Sequence, residues 1–165
     1  MFRPLAGIIF YVVFLSGVVF AAPNSGKAPV IPQSLVQWMD YSTALEKAKT
    51  EPKLIFVDMY ADWCIPCRVM DKNVYMNPTV ASILNKKFYP VKLDVDSEAP
   101  IICDGKKASA KKCFSEVWEL NVLPSFVLIA PKGLSILTVA DSMSPQEMQM
   151  LLDKFLEKEK EWIER

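Results

Sequence analysis

Apolar and polar positions along this chain of 165 residues fall into two repeating patterns, one of unbroken apolar runs and one of helical spacing. Lys53 to Tyr60, KLIFVDMY, is rich in β-branched and aromatic residues with few polar interruptions, the pattern of a strand buried on both faces of a sheet. Phe88 to Val95 and Val122 to Ile129 repeat it, the latter with Pro124 at its entrance. The turn Pro131-Lys132-Gly133 leads into Leu134 to Val139 and predicts a hairpin. Between the first two strands, Val69, Met70 and Val74 have helical spacing. Asn77-Pro78 interrupts that helix, with Asn77 capping a continuing segment. Ser115 to Asn121 reads as a short helix. Ser144-Pro145-Gln146-Glu147 is a capping box opening a terminal helix whose apolar stripe is Met148, Leu151, Leu152, Phe155 and Leu156. The tail after Glu157 reads as a charged, solvated extension. Upstream, Leu35 to Trp38 reads as a short strand and Ser42 as the N-cap of a helix ending near Thr50. A helix joining the first two strands makes them parallel in a right-handed crossover, so with the hairpin the class is α/β with a central mixed sheet flanked by helices.

The first 22 residues stand apart. Arg3, the apolar stretch Leu5 to Phe20 and the small Ala21 and Ala22 have the layout of a secretory signal peptide, or else of an uncleaved anchor that alone would tie the protein to a membrane. Residues 23–34 contain prolines and read as a linker, leaving 35–165 as one domain with a single core. The segment places that domain outside the cytoplasm, in a periplasm or equivalent compartment. Nineteen basic residues balance 19 acidic ones, which gives no field for nucleic acid.

Chemistry concentrates in Trp63-Cys64-Ile65-Pro66-Cys67. Cys64 falls where free backbone N–H groups open a helix, and the positive end of the helix dipole favours a thiolate there. It is the expected nucleophile. Cys67, nearly one turn on, is within disulfide reach and expected to be the more buried, placed to resolve a mixed disulfide. Pro66 suits the first helical turn. A structural zinc site would need two further ligands at matching spacing, but the chain has no histidine and Cys103 and Cys113 are ten residues apart. Those two cysteines bracket an insertion, Asp96 to Lys112, between the second buried strand and the following helix. They read either as a staple for a loop poor in apolar content or as a second redox pair. Asp58 and Lys92 are charges inside strands, either a buried ion pair or, with a raised carboxyl pKa, a device that takes the Cys67 proton.

Asp58, Ala61, Trp63, Cys64, Pro66 and Cys67 together resemble the thioredoxin superfamily, from about Trp38 onward. The stretch YSTALEKAK followed by VDMYADWC is most similar to the periplasmic C-terminal domain of the disulfide interchange protein DsbD. The resemblance implies a thioredoxin-like fold and a cis Pro124 facing the active-site disulfide, with the backbone at Leu123 pairing with an extended client. It also implies Asp58 and Lys92 beneath the second cysteine. Trp63, Ile65, Pro66, Leu123 and Pro124 become the expected client-binding residues. Protein disulfides are the implied clients, a DsbD-type membrane protein the implied electron donor, and no organic cofactor or metal is called for. Pro66 and the absence of a motif histidine favour a reductant over a strong oxidant. A metallochaperone or redox-inactive binding module is the alternative, though copper delivery on this fold usually recruits a histidine. Tyr60 for tryptophan, Ile65 for glycine, Ser125 for threonine and Asp141 near a groove glycine depart from the family pattern and narrow the expected client range.

Overall fold

In the computed structural model, residues 35–164 are described; the signal-peptide and linker expectations lie outside them. Four strands form a mixed sheet. The long apolar run becomes β1, Leu54–Tyr60, in the centre, where its six leading residues are buried because helices cover both sheet faces. Parallel to it lies β2, Phe88–Asp94, in a register that sets Asp58 opposite Lys92. On its other side run β5, Ser125–Ile129, and then β6, Ser135–Val139, both antiparallel to their neighbours. The fold is thioredoxin-like, as the sequence led us to expect.

Period-two alternation in β1 divides the core. Ile55, Val57 and Met59 face a cluster with α1, Tyr41–Thr50, whereas Leu54 and Phe56 face a cluster containing residues of α2, Ile65–Asn73, and α3, Pro78–Lys87. The terminal helix α5, Pro145–Glu157, opens with the expected capping box and buries Met148 and Leu152 in this second cluster. Asn77 caps α3 as expected.

Five expectations change. Leu35 to Trp38 forms no strand; the chain meets the sheet edge by a single bridge, Met39 to Val91. Pro90 of β2 has no N–H with which to extend a ladder there. The N-cap of α1 is Asp40, whose carboxylate accepts from the Thr43 N–H at 3.0 Å, so Ser42 sits inside the first turn. The insertion is a hairpin, β3, Pro100–Cys103, and β4, Lys106–Ser109. Its turn residues Asp104 and Gly105 have φ of 46° and 76°, the left-handed pair that a two-residue hairpin turn needs. Helical structure after it begins at α4, Ala110–Lys112, and passes into a π-helical turn, Cys113–Val117, rather than starting at Ser115, because the Ser109 hydroxyl caps it early. The charged tail forms a further helix, α6, Glu159–Glu164, with Trp162 packed on the second cluster.

Candidate active site

At the C-terminal end of β1 the chain turns through Ala61-Asp62-Trp63 into α2, and Cys64 is the N-cap of that helix. Cys64 and Cys67 form a disulfide with Cα atoms 5.3 Å apart. The Cys67 N–H donates to Cys64 Sγ at 3.2 Å. After reduction this donor favours negative charge on Cys64, in line with its expected role. The expected difference in burial is absent, since Cys64 is 2% exposed and Cys67 4%. Both sulfurs sit in the first core cluster, against which Leu123 packs, so hydrogen bonding rather than exposure distinguishes them.

Around the buried disulfide the surface is apolar and open. Trp63 is 67% exposed, Ile65 65% and Val122 52%. Asp96, at the start of the insertion, accepts from Trp63 Nε1 at 2.7 Å and orients the indole beside Cys64. The Leu123–Pro124 peptide is cis, and the Ser125 hydroxyl donates to the Val122 carbonyl across that bend. Beside the motif, Ile65, Pro66 and Val69 face Met143 and Pro145 across a groove of about 430 Å³. Asp141 is exposed two residues before Met143.

An ionic cluster forms around Asp58 and Lys92. Asp58 is 2% exposed. Its Oδ1 accepts from the Tyr75 hydroxyl at 3.0 Å, and its Oδ2 lies 3.7 Å from Lys92 Nζ. Lys92 bonds more closely to Asp71. The ammonium also lies 5.1 Å from the ring centre of Tyr60, 5.6 Å from that of Trp38 and 5.8 Å from that of Tyr75. Burial pushes the Asp58 carboxyl up to about 7, against the pull of Lys92 and the Tyr75 hydrogen bond, with Asp71 raising it further. Among the described residues no hydrogen bond joins Asp58 to either cysteine.

Cys103 and Cys113 form the second disulfide, with Cα atoms 6.0 Å apart, and both are fully buried. Asp104 at the hairpin tip accepts from the backbone N–H and the hydroxyl of Ser135, tying the insertion to β6.

The family model Thioredox_DsbH, described as a protein of unknown function, DUF255, matches residues 30–160. The chain belongs to this thioredoxin-like DsbH family. Thioredoxin H-type from Fagopyrum esculentum is 34% identical over 106 residues, covering 62% of this chain and 72% of its own length. Thiol:disulfide interchange protein DsbD 2 from Pseudomonas aeruginosa is 28% identical over 120 residues. That match covers 70% of this chain but only 19% of the relative, so the chain spans about a fifth of that protein. In fold, a thioredoxin from Thermus thermophilus superposes with a TM-score of 0.60 at 21% identity, covering 74% of this chain and 88% of its own. The C-terminal domain of Neisseria meningitidis DsbD superposes with 0.54 at 18%, covering 68% and 91%.

In this DsbH-family chain the sequence pointed to Cys64, Cys67, Asp58, Lys92 and the cis-proline bend, and the structure brings Asp58 and Lys92 together. It missed Asp71, Tyr75 and Trp38 around the lysine. Asp71 was findable, because it lies four residues after Cys67 and so on the same face of α2. Trp38 and Tyr75 belong to segments that only folding brings together, where their rings meet edge to face at 4.8 Å.

The raised Asp58 pKa has a sign that calorimetry can check. With a folded pKa of about 7 above an unfolded value near 3.8, the folded protein holds an extra proton between those limits. Stability contributed by the neutral carboxyl is therefore intact below about pH 4 and is lost as pH rises through about 7. Asp58→Asn is expected to escape this loss, so its melting temperature should gain on the parent between pH 4 and 8. A gap that stays constant across that range would mean Asp58 is ionised throughout.

Proposed function

We propose that this protein is an exported thiol-disulfide oxidoreductase that reduces protein disulfides through the Cys64/Cys67 couple. The observation carrying this reading is a disulfide at the N-terminus of α2 with a backbone donor aimed at Cys64, flanked by the exposed side chains of Trp63 and Ile65. The thiolate of Cys64 attacks one sulfur of a client disulfide and forms a mixed disulfide, releasing the other client sulfur as a thiolate. Cys67 then loses its proton to Asp58 and attacks Cys64 Sγ. The mixed S–S bond breaks, the Cys64–Cys67 bond forms, and the client leaves as a second thiolate that is protonated from solvent. The client gains two electrons and the couple loses two. Protonation leaves Asp58 neutral: Lys92 favours the carboxylate form before the transfer, and Asp71 favours the neutral acid after it and keeps the lysine paired.

Trp63, Ile65, Pro66, Leu123 and Pro124 form the client platform in this reading, with Leu123 offering backbone to an extended strand. The departures noted above fit a narrow client range, since exposed Ile65 adds apolar bulk where glycine would leave room. Electrons come from a membrane dithiol donor of the DsbD type, in keeping with the DsbD relatives, and the apolar N-terminal segment carries the domain out of the cytoplasm. Cys103–Cys113 is structural in this reading, because neither cysteine caps a helix with a backbone N–H aimed at its sulfur as Cys64 does.

The direct test is insulin reduction with dithiothreitol as electron source. The protein should precipitate insulin well above the dithiothreitol background, and a rate equal to background would sink the proposal. Asp58→Asn should slow resolution of a preformed mixed disulfide about tenfold while leaving its formation unchanged. Equal slowing of both steps would reduce Asp58 to a structural residue.

A further inference from the structure

The aromatic and acidic groups around Lys92 do more than neutralise it, and one residue touches both halves of the ion pair. Tyr75 lies in the turn after α2 and is fully buried, with its ring edge to face against Trp38 at 4.8 Å and Phe56 at 6.4 Å. Its hydroxyl donates to Asp58 Oδ1 at 3.0 Å, while its ring lies 5.8 Å from Lys92 Nζ. Burial and the neighbouring Asp58 hold the phenol proton far above its ordinary pKa, so Tyr75 stays a donor at any physiological pH. The groups facing Asp58 are Lys92 from β2, Asp71 from α2 and Tyr75 from the turn after it, with Tyr60 following on its own strand.

We propose that Tyr75 is a positioning residue for proton transfer at Cys67: its hydroxyl anchors Oδ1 of Asp58, so that Oδ2, held only loosely by Lys92, takes the proton, while its ring packs near the Lys92 ammonium. This rests on Asp58 accepting the Cys67 proton. Lys92 alone would be a poor anchor, because its closer partner is Asp71 and its distance to Asp58 is 3.7 Å. Without the Tyr75 hydroxyl, Asp58 Oδ1 would have no hydrogen-bond donor in a dry site, which disfavours the carboxylate form. The protein would then need a higher pH before Asp58 could accept a proton.

Tyr75→Phe removes only the hydroxyl and keeps the ring contacts. Two readouts on the reduced protein test the proposal: carbon-13 titration of the Asp58 carboxyl, and the pH profile of mixed-disulfide resolution. In Tyr75→Phe the carboxyl midpoint should rise by about one pH unit and the kinetic midpoint should follow it, with the high-pH plateau retained. An unchanged carboxyl midpoint, with or without a lower melting temperature, overturns the proposal. The parent reading is judged separately: if Asp58→Asn keeps the full pH profile of resolution, Asp58 is not the acceptor, whatever Tyr75 does to its titration. Incorporation of 3-fluorotyrosine at Tyr75 gives a stronger donor of nearly unchanged size. It should move the midpoint down, which keeps the test decisive even if Tyr75→Phe fails to fold.

Discussion

Cys64→Ser is expected to lower disulfide-reducing turnover about a thousandfold or more, to the background of the added reductant, while leaving the fold intact. The reasoning is covalent: the mixed disulfide cannot form without the first sulfur, and loss of a nucleophile removes the whole pathway rather than a share of it. Cys67→Ser should also stop multiple turnover but by another route. It still attacks the client and stalls, so a mixed disulfide through Cys64 should accumulate on a non-reducing gel. The two cysteines are almost equally buried, at 2% and 4%, so accessibility does not predict which reacts first. The hydrogen bond does, because the Cys67 N–H points at Cys64 Sγ and α2 begins there. Alkylation of the reduced protein should therefore modify Cys64 well ahead of Cys67. Faster labelling of Cys67, or a trapped adduct on Cys67 in the Cys64→Ser protein, would reverse the assignment.

Removing the second disulfide is expected to have the largest effect on stability. Cys103 and Cys113 are ten residues apart, and closing a loop of that size stabilises a fold by about 3 kcal/mol in the chain-entropy model. For a domain of this size that corresponds to a melting temperature lower by about 10 °C in Cys103→Ala/Cys113→Ala. The double serine variant should fall further, because both positions are fully buried and hydroxyls there would need partners. Turnover on a small accessible disulfide should survive below the melting transition. The hairpin stays tied to β6 through Asp104 and Ser135, and Trp63 keeps its bond to Asp96. A double variant that melts like the parent but has lost turnover would overturn the staple and make this pair a redox relay.

How much was legible differs by element and for a physical reason. Apolar runs announce buried strands because both faces of a central strand must be covered, and β1, β2 and β5 were read within a residue or two apart from the entrance to β5. Capping chemistry is local too, so Asn77 and the box at Ser144 were readable, although at α1 the carboxylate of Asp40 outcompeted Ser42. The hairpin in the insertion was missed despite its Asp104-Gly105 turn. Its strands are short and β4 is polar, and the paired strands are fixed to the domain by a disulfide to the π-helical turn and a tie to β6, contacts that no local pattern shows.

The motif Trp63 to Cys67 and its place between a buried strand and a helix follow from the sequence by itself; the neighbouring of Asp58 and Lys92 was implied by the family resemblance, and the strand register sets it. What surrounds that pair was decided by tertiary structure. Trp38 enters from the segment before α1, Tyr60 from the end of β1, and Asp71 and Tyr75 from α2 and the turn after it. No local pattern links these positions, since a half-buried ammonium is surrounded by whichever rings and carboxylates the packed chain brings to it. The same holds for the two sulfurs of the motif, whose near-equal burial depends on the core cluster packed around them.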